Sequence, residues 1–205
     1  MSAADDHLER ETGPPPPRSE LVKAAAGLQE ECERLGRPFC LIGGFVVSRW
    51  GEPRVTRDVD AMIYTNFDNE PEVAQALVDR FAPRRPDAVA FASISRVVLL
   101  YEPRFRLGID VALGAFDYDR NAAERSSLGE MAEGVWLRTC SAEDLIVYKA
   151  FAGRAIDLND IKGILIRQRG KLDLSIVDTE LAVLAELAED PEMVTRWQTL
   201  RDRHR

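Results

Sequence analysis

Histidine is scarce in this chain. There are two, His7 and His204, each close to an end of the sequence. A Ser-His-Asp triad, a Cys-His pair or a zinc centre needs histidine in the body of a fold, so those chemistries are set aside. Cysteine is nearly as rare. Cys32, Cys40 and Cys140 have no metal-ligand spacing, and an odd count suggests no disulfide framework. They read as core fillers, and a reducing, cytoplasmic setting is the expectation. No apolar run approaches the roughly 18 to 20 residues of a membrane-spanning helix. The first residues lack the apolar stretch of a signal peptide, so no membrane association is expected. Positive charge is in deficit: the formal net charge is -8 and the pI about 5.0. That argues against extended binding of duplex DNA, which needs a basic footprint. Neither the P-loop pattern G-x-x-x-x-G-K-[ST] nor a dinucleotide glycine fingerprint occurs. Acids, arginines and lysines are left to carry any chemistry.

What is present is a core. Hydrophobic residues make up 45% of 205 positions, enough for a sizeable core, and the length suggests one domain, or one domain plus a small helical annex. Residues 1–19 carry a four-proline run among polar and acidic residues, and read as a disordered or polyproline II arm. Leu21, Ala24, Ala25, Leu28 and Cys32 recur at helical spacing, with Gly36 as the stop. "PFCLIGG" reads as a buried strand, "FVVSRW" as a short helix, "DVDAMIY" as a strand, and "PEVAQALVDRFA" as a helix with Pro71 in its first turn. "VAFASISRVVLLY" and "RLGIDVALGAF", separated by "EPRF", read as a hairpin. "GVWLRTC" is a further strand. Ser141 then caps the helix "AEDLIVYKAFAGR", with Asp144 three residues on. The rest reads as helices. The expected architecture is α+β: an α/β core over 20–140 built on a small mixed sheet flanked by helices, followed by a helical segment over 141–205.

Two acids stand out. Strand side chains alternate between faces, so Asp58 and Asp60 share one face of "DVDAMIY", roughly 6 to 7 Å apart. In "RLGIDVALG" one face is Leu107, Ile109, Val111 and Leu113. The other carries Asp110 between Gly108 and Ala112, which leaves open space above the acid. Three carboxylates on neighbouring strands suit a hard cation such as Mg²⁺, whose remaining positions take water and phosphate oxygens. The alternative is that the acids are solvated charges neutralised by Arg54 and Arg57. Gly43 and Gly44 follow a strand and open a helix, a junction whose backbone N–H groups either bind phosphate or simply turn the chain.

Together, "GGFVVSRWGEPRVTRDVD", "IDV" and "EDLIVYKAFAGRAIDLNDI" resemble the nucleotidyltransferase superfamily that includes DNA polymerase β, over about residues 40–166. They most resemble the bacterial minimal and abortive-infection-type nucleotidyltransferases of toxin–antitoxin systems. The resemblance implies the nucleotidyltransferase fold and transfer of a nucleoside monophosphate from an NTP such as ATP. It implies that Asp58, Asp60 and Asp110 hold Mg²⁺, with Mn²⁺ as a substitute, and that Gly43, Gly44 and Lys149 contact the triphosphate. The acceptor it implies is a hydroxyl on an RNA end, a protein side chain or a small molecule, and a toxin role would bring a cognate antitoxin. Many members carry Ser or Thr after the glycine pair. Phe45 stands there in this chain, so that phosphate contact is missing or comes from Ser48. Arg54 and Arg57 are either phosphate contacts or partners of the acids. Arg154, Asp157 and Asp160 read as an ion network between helices, with Asp157 a candidate N-cap.

Overall fold

The computed structural model describes residues 14–204. Residues 1–13 of the expected arm lie outside the described residues. Pro14–Pro17 have no regular structure, and helix α1 (Arg18–Leu35) starts directly after them, two residues earlier than expected. The residue before a proline is pushed away from helical angles, so the helix cannot start until the proline run ends. Gly36 closes α1 in the left-handed region, φ 64°.

The chain then runs through β1 (Phe39–Ile42), α2 (Gly43–Trp50), β2 (Asp58–Tyr64), α3 (Glu70–Arg80), β3 (Ala82–Pro83), α4 (Ala88–Ser95), β4 (Val97–Glu102) and β5 (Leu107–Gly114). It continues through α5 (Asp117–Arg125), β6 (Ser127–Ala132), β7 (Val135–Thr139), α6 (Ala142–Ala152), α7 (Ala155–Arg167), α8 (Leu174–Leu187) and α9 (Glu192–His204). The seven strands form one mixed sheet in the order β3-β4-β5-β2-β1-β7-β6. β2 pairs parallel with β5 and antiparallel with β1, and β1 pairs parallel with β7.

The expected hairpin is half right. Residues 97–102 and 107–114 are its strands, but "AVAFASIS" is α4. Ala88 and Ala92, four apart, are buried while Ile94 is exposed, which is a helical pattern. Arg96 takes φ 56°, its N–H bonds Ala92 O at 2.9 Å, and the chain leaves helix for strand. Elements α5, β3 and β6 were not expected. β3 is two residues long and contains Pro83, which suits an edge strand because proline has no N–H to give a second neighbour. Ser141 caps α6 as expected: its Oγ accepts from Asp144 N–H at 3.0 Å.

Two compact units result, residues 14–45 with Val55–Thr139, and Val46–Arg54 with residues 140–204. The first holds the sheet. Val59, Ala61, Ile63, Ile109, Val111 and Leu113 form its buried centre, where the β2–β5 ladder runs. α1 and α5 both pack on β1 and β2, and α4 packs on β4. The second is helical. α6 packs on α7, α8 and α9 around Leu145, Ile161, Leu181 and Trp197, all buried. Trp197 Nε1 donates to Asp178 Oδ1 at 2.6 Å, which satisfies the indole inside this core. All three cysteines are buried and free, and burial pushes the Cys32 thiol up to about 12, so it is an inert filler. Among the described residues no helix is long and apolar enough to cross a membrane.

Candidate active site

The sheet builds a transverse row of residues in the first unit. Ile42 of β1 pairs with Asp60 of β2, Asp60 with Asp110 of β5, and Asp110 with Leu99 of β4. The row ends just past β3, where Arg84 N–H donates to Leu99 O at 3.0 Å. The next row pairs Asp58 with Gly108, and Gly108 with Tyr101. Residues paired across a ladder share a face. The sequence alternation therefore becomes a patch: Asp58, Asp60 and Asp110 on one face, at adjacent positions of two parallel strands.

Glycine makes room for two of these acids. A Cβ at Gly43 would lie 2.5 Å from Asp60 Cγ, and Gly43 also has φ 72°. No larger residue fits there without moving Asp60. A Cβ at Gly108 would lie 3.2 Å from Asp58 Cγ and 3.6 Å from Arg84 Nη1. Asp58 and Arg84 thus both reach the point above Gly108. Arg84 Nη2 also donates to Asp110 Oδ1 in an ion pair whose side chains are 19% and 36% exposed. The guanidinium stands beside two of the three acids.

Among the described residues, no group of three or more His, Cys, Asp or Glu side chains converges on one cation position. The reason is visible in the side chains. Asp60 lies against Gly43, Asp58 over Gly108, and Asp110 against Arg84. The donor set still fits a hard divalent cation in chemistry and in register: three carboxylates on neighbouring strand positions, with glycine clearance beneath two of them.

Gly43 and Gly44 open α2 beside Asp60, as expected. Phe45, the next residue, is buried in the core and does not point to solvent. Ser48 stands in the second half of α2, about four residues and so roughly 6 Å of helix beyond Gly44. Arg57 Nη1 donates to Pro14 O at 3.4 Å on the surface.

Arg54 and Lys149 belong to the second unit, in an ion cluster of its own. Arg54 Nε and Nη2 donate to Asp160 Oδ1 and Oδ2 at 2.7 and 2.9 Å, a two-point fork. Lys149 Nζ lies 2.9 Å from Asp157 Oδ1 and 2.8 Å from Asp160 Oδ2, with 4% of its side chain exposed. This lysine is thus buried between two carboxylates of the helical unit. Arg154 Nε completes the cluster on Asp157 Oδ2 at 2.6 Å. Burial pushes the Asp157 carboxyl up, but hydrogen bonds from Arg154 and Lys149 outweigh it and hold it below its ordinary 3.8. Asp157 lies inside α7 and does not cap it; the N-cap position is Arg154.

Sequence reasoning missed Arg84. It sits in "APRRPD", beside an identical residue: Arg85 pairs outward with Asp87 at 2.9 Å, while Arg84 turns onto the acids. Only the register of β3 on β4 separates the two.

The seven-stranded mixed sheet followed by a helical C-terminal part has the fold of nucleotidyltransferase-like proteins among solved structures. Among solved structures, the chain is similar to an antigenic nucleotidyltransferase-like protein from Paracoccidioides brasiliensis. The TM-score is 0.51 and the identity 15%, over 90% of this chain and 95% of that one. It is also similar to the antibiotic-resistance factor ANT(2'')-Ia, with TM-score 0.47 and 15% identity, over 89% of this chain and 96% of that one. No protein-family model matches the sequence, and no curated protein matches it.

Proposed function

We propose that this chain transfers a nucleoside monophosphate from an NTP to a hydroxyl acceptor. The observation that carries the reading is the β2–β5 register, which sets Asp60 beside Asp110 and Asp58 one pleat away, next to the Gly43–Gly44 helix start. Asp58, Asp60 and Asp110 would hold Mg²⁺ or Mn²⁺. A divalent cation supplies positive charge against the charge that develops on the transferring phosphoryl group. Backbone N–H groups at Gly43 and Gly44 would hold triphosphate oxygens. In the step itself, the acceptor oxygen bonds to the α-phosphorus. The bond from that phosphorus to the oxygen bridging to the β-phosphate breaks, and pyrophosphate leaves. Asp110 would take the acceptor's proton. The acceptor would be an RNA end, a protein side chain or a small molecule. In a toxin–antitoxin pair, a cognate antitoxin would be the partner.

A second reading has one observation in its favour. Arg84 already holds Asp110, as it would in a nucleotide- or partner-binding module of the same fold without turnover.

Thermal unfolding with Mg²⁺ or Mn²⁺ and each of the four NTPs tests both, on wild type and on Asp58→Asn/Asp60→Asn, alongside pyrophosphate release. A ligand that binds only the folded state raises the midpoint. A shift in wild type alone, with pyrophosphate released, supports transfer. A shift without pyrophosphate supports the binding module. No shift with any combination sinks transfer and nucleotide binding alike, and leaves the partner-binding form of the module.

A further inference from the structure

We infer that Arg84 couples the two ligands of the proposed site, by making cation binding at Asp110 depend on a triphosphate. This inference rests on the reading above. Its basis is the position of one guanidinium. Arg84 is anchored by its own backbone, N–H to Leu99 O at 3.0 Å, and its side chain crosses the row over β4 to pair with Asp110. Two strand spacings are roughly 10 Å, a span that only a long side chain bridges. At the other end, Nη1 lies 3.6 Å from the point above Gly108 that the Asp58 carboxylate also reaches. The guanidinium therefore stands beside two of the three acids that would share a cation.

Two cations on one carboxylate repel and compete for its oxygens. A divalent ion on Asp110 works against the Arg84 pair at Oδ1, and a free ion offers the displaced guanidinium nothing in return. A metal–triphosphate brings both partners at once: the cation replaces Arg84 on Asp110, and a phosphate oxygen receives Arg84. Guanidinium and phosphate oxygens make charge-assisted hydrogen bonds, so the exchange conserves ion pairs. The coupling is reciprocal, and each ligand strengthens the other by the same factor. Arg84 acts here as a positioning residue and a discriminator. It disfavours bare cations and favours a nucleotide that carries its own.

The test measures Mn²⁺ binding by electron paramagnetic resonance, with and without a non-hydrolysable nucleoside triphosphate. It uses wild type, Arg84→Gln, Arg84→Lys and Asp58→Asn/Asp60→Asn, each first checked for fold by circular dichroism. In wild type, free Mn²⁺ should bind weakly, and the triphosphate should tighten it about tenfold or more. Arg84→Gln should bind free Mn²⁺ about tenfold more tightly than wild type and lose most of the effect of the triphosphate. Arg84→Lys, with a point charge on a different stem, should fall between them. If Arg84→Gln binds free Mn²⁺ no more tightly than wild type, the inference is overturned while the proposed function stands. If Arg84→Gln does not fold, Arg84→Lys decides alone: coupling equal to or stronger than wild type overturns the inference. If wild type binds no Mn²⁺ that Asp58→Asn/Asp60→Asn loses, with or without triphosphate, the proposed function itself has failed.

Discussion

Gly43 lies directly against the carboxylate of Asp60, so close that a Cβ would come within 2.5 Å of Asp60 Cγ. Its φ of 72° is also unfavourable for any residue with a side chain. Gly43→Ala should therefore cost stability twice. The left-handed angle contributes about 1 to 2 kcal/mol, and the overlap with Asp60 adds to it. Gly36→Ala is the internal control, because Gly36 has φ 64° with nothing within 4 Å of its Cβ position. Urea denaturation of the two variants separates the terms. Equal losses would mean that Asp60 yields without cost.

Gly108→Ala isolates the second acid. Gly108 has no left-handed angle to relieve, and the added Cβ meets the Asp58 carboxylate. Alanine is worth about 0.5 to 1 kcal/mol over glycine in a strand, which offsets part of the crowding. Stability should stay within about 1 kcal/mol of wild type by that reasoning. The thermal shift with Mn²⁺ and NTP should fall sharply. An undiminished shift would remove Asp58 from the site.

Lys149→Met should unfold the helical unit more easily. Methionine keeps much of the length but leaves Asp157 and Asp160 buried with one cation fewer. Breaking a buried pair from one side costs about 3 to 5 kcal/mol. The double variant Lys149→Met/Asp157→Asn should recover part of the loss, since it removes an unpaired charge, and a double-mutant cycle measures the coupling. A single variant within about 1 kcal/mol of wild type would contradict the structural role of Lys149.

The same cluster predicts an acid limb. Asp157 titrates below its ordinary 3.8 in the folded protein. Its contribution is therefore full above that value, and is lost as pH falls through the lower folded value, because the unfolded chain then binds the proton first. Asp157→Asn should be less stable than wild type at neutral pH, and its stability should fall less steeply below about pH 4. Denaturation midpoints measured between neutral pH and the acid limit check both slopes. Parallel curves would mean that another carboxylate sets the acid limb.

Much of the fold was legible in local pattern. The alternation of "DVDAMIY" and "RLGIDVALG" marked two strands with acids on one face, and both strands formed as read. Ser141 and Asp144 marked a helix start through a bond between near neighbours. α4 was misread because alternation and helical spacing are hard to separate over eight residues, and the left-handed angle at Arg96 that divides helix from strand is not written in the residue type. β6 was missed because four of its six residues face solvent and its pairing with β7 is what makes it a strand.

The sequence by itself determined which acids share a face, where glycine must stand, and which chemistries lack their residues. Period two in a strand and the size of a side chain are local properties, and they survive folding. Tertiary structure alone decided the partners of the charges. Lys149 reads as a triphosphate contact and Arg54 as either a phosphate contact or a partner of the β2 acids; in the fold Lys149 pairs with Asp157 and Asp160, and Arg54 meets Asp160 across 106 positions of chain. Arg84 and Arg85 are identical in sequence, and one strand register sends the first to Asp110 and leaves the second on the surface. A charge acts on whatever the fold brings within a few ångströms, and no spacing along the chain encodes that distance.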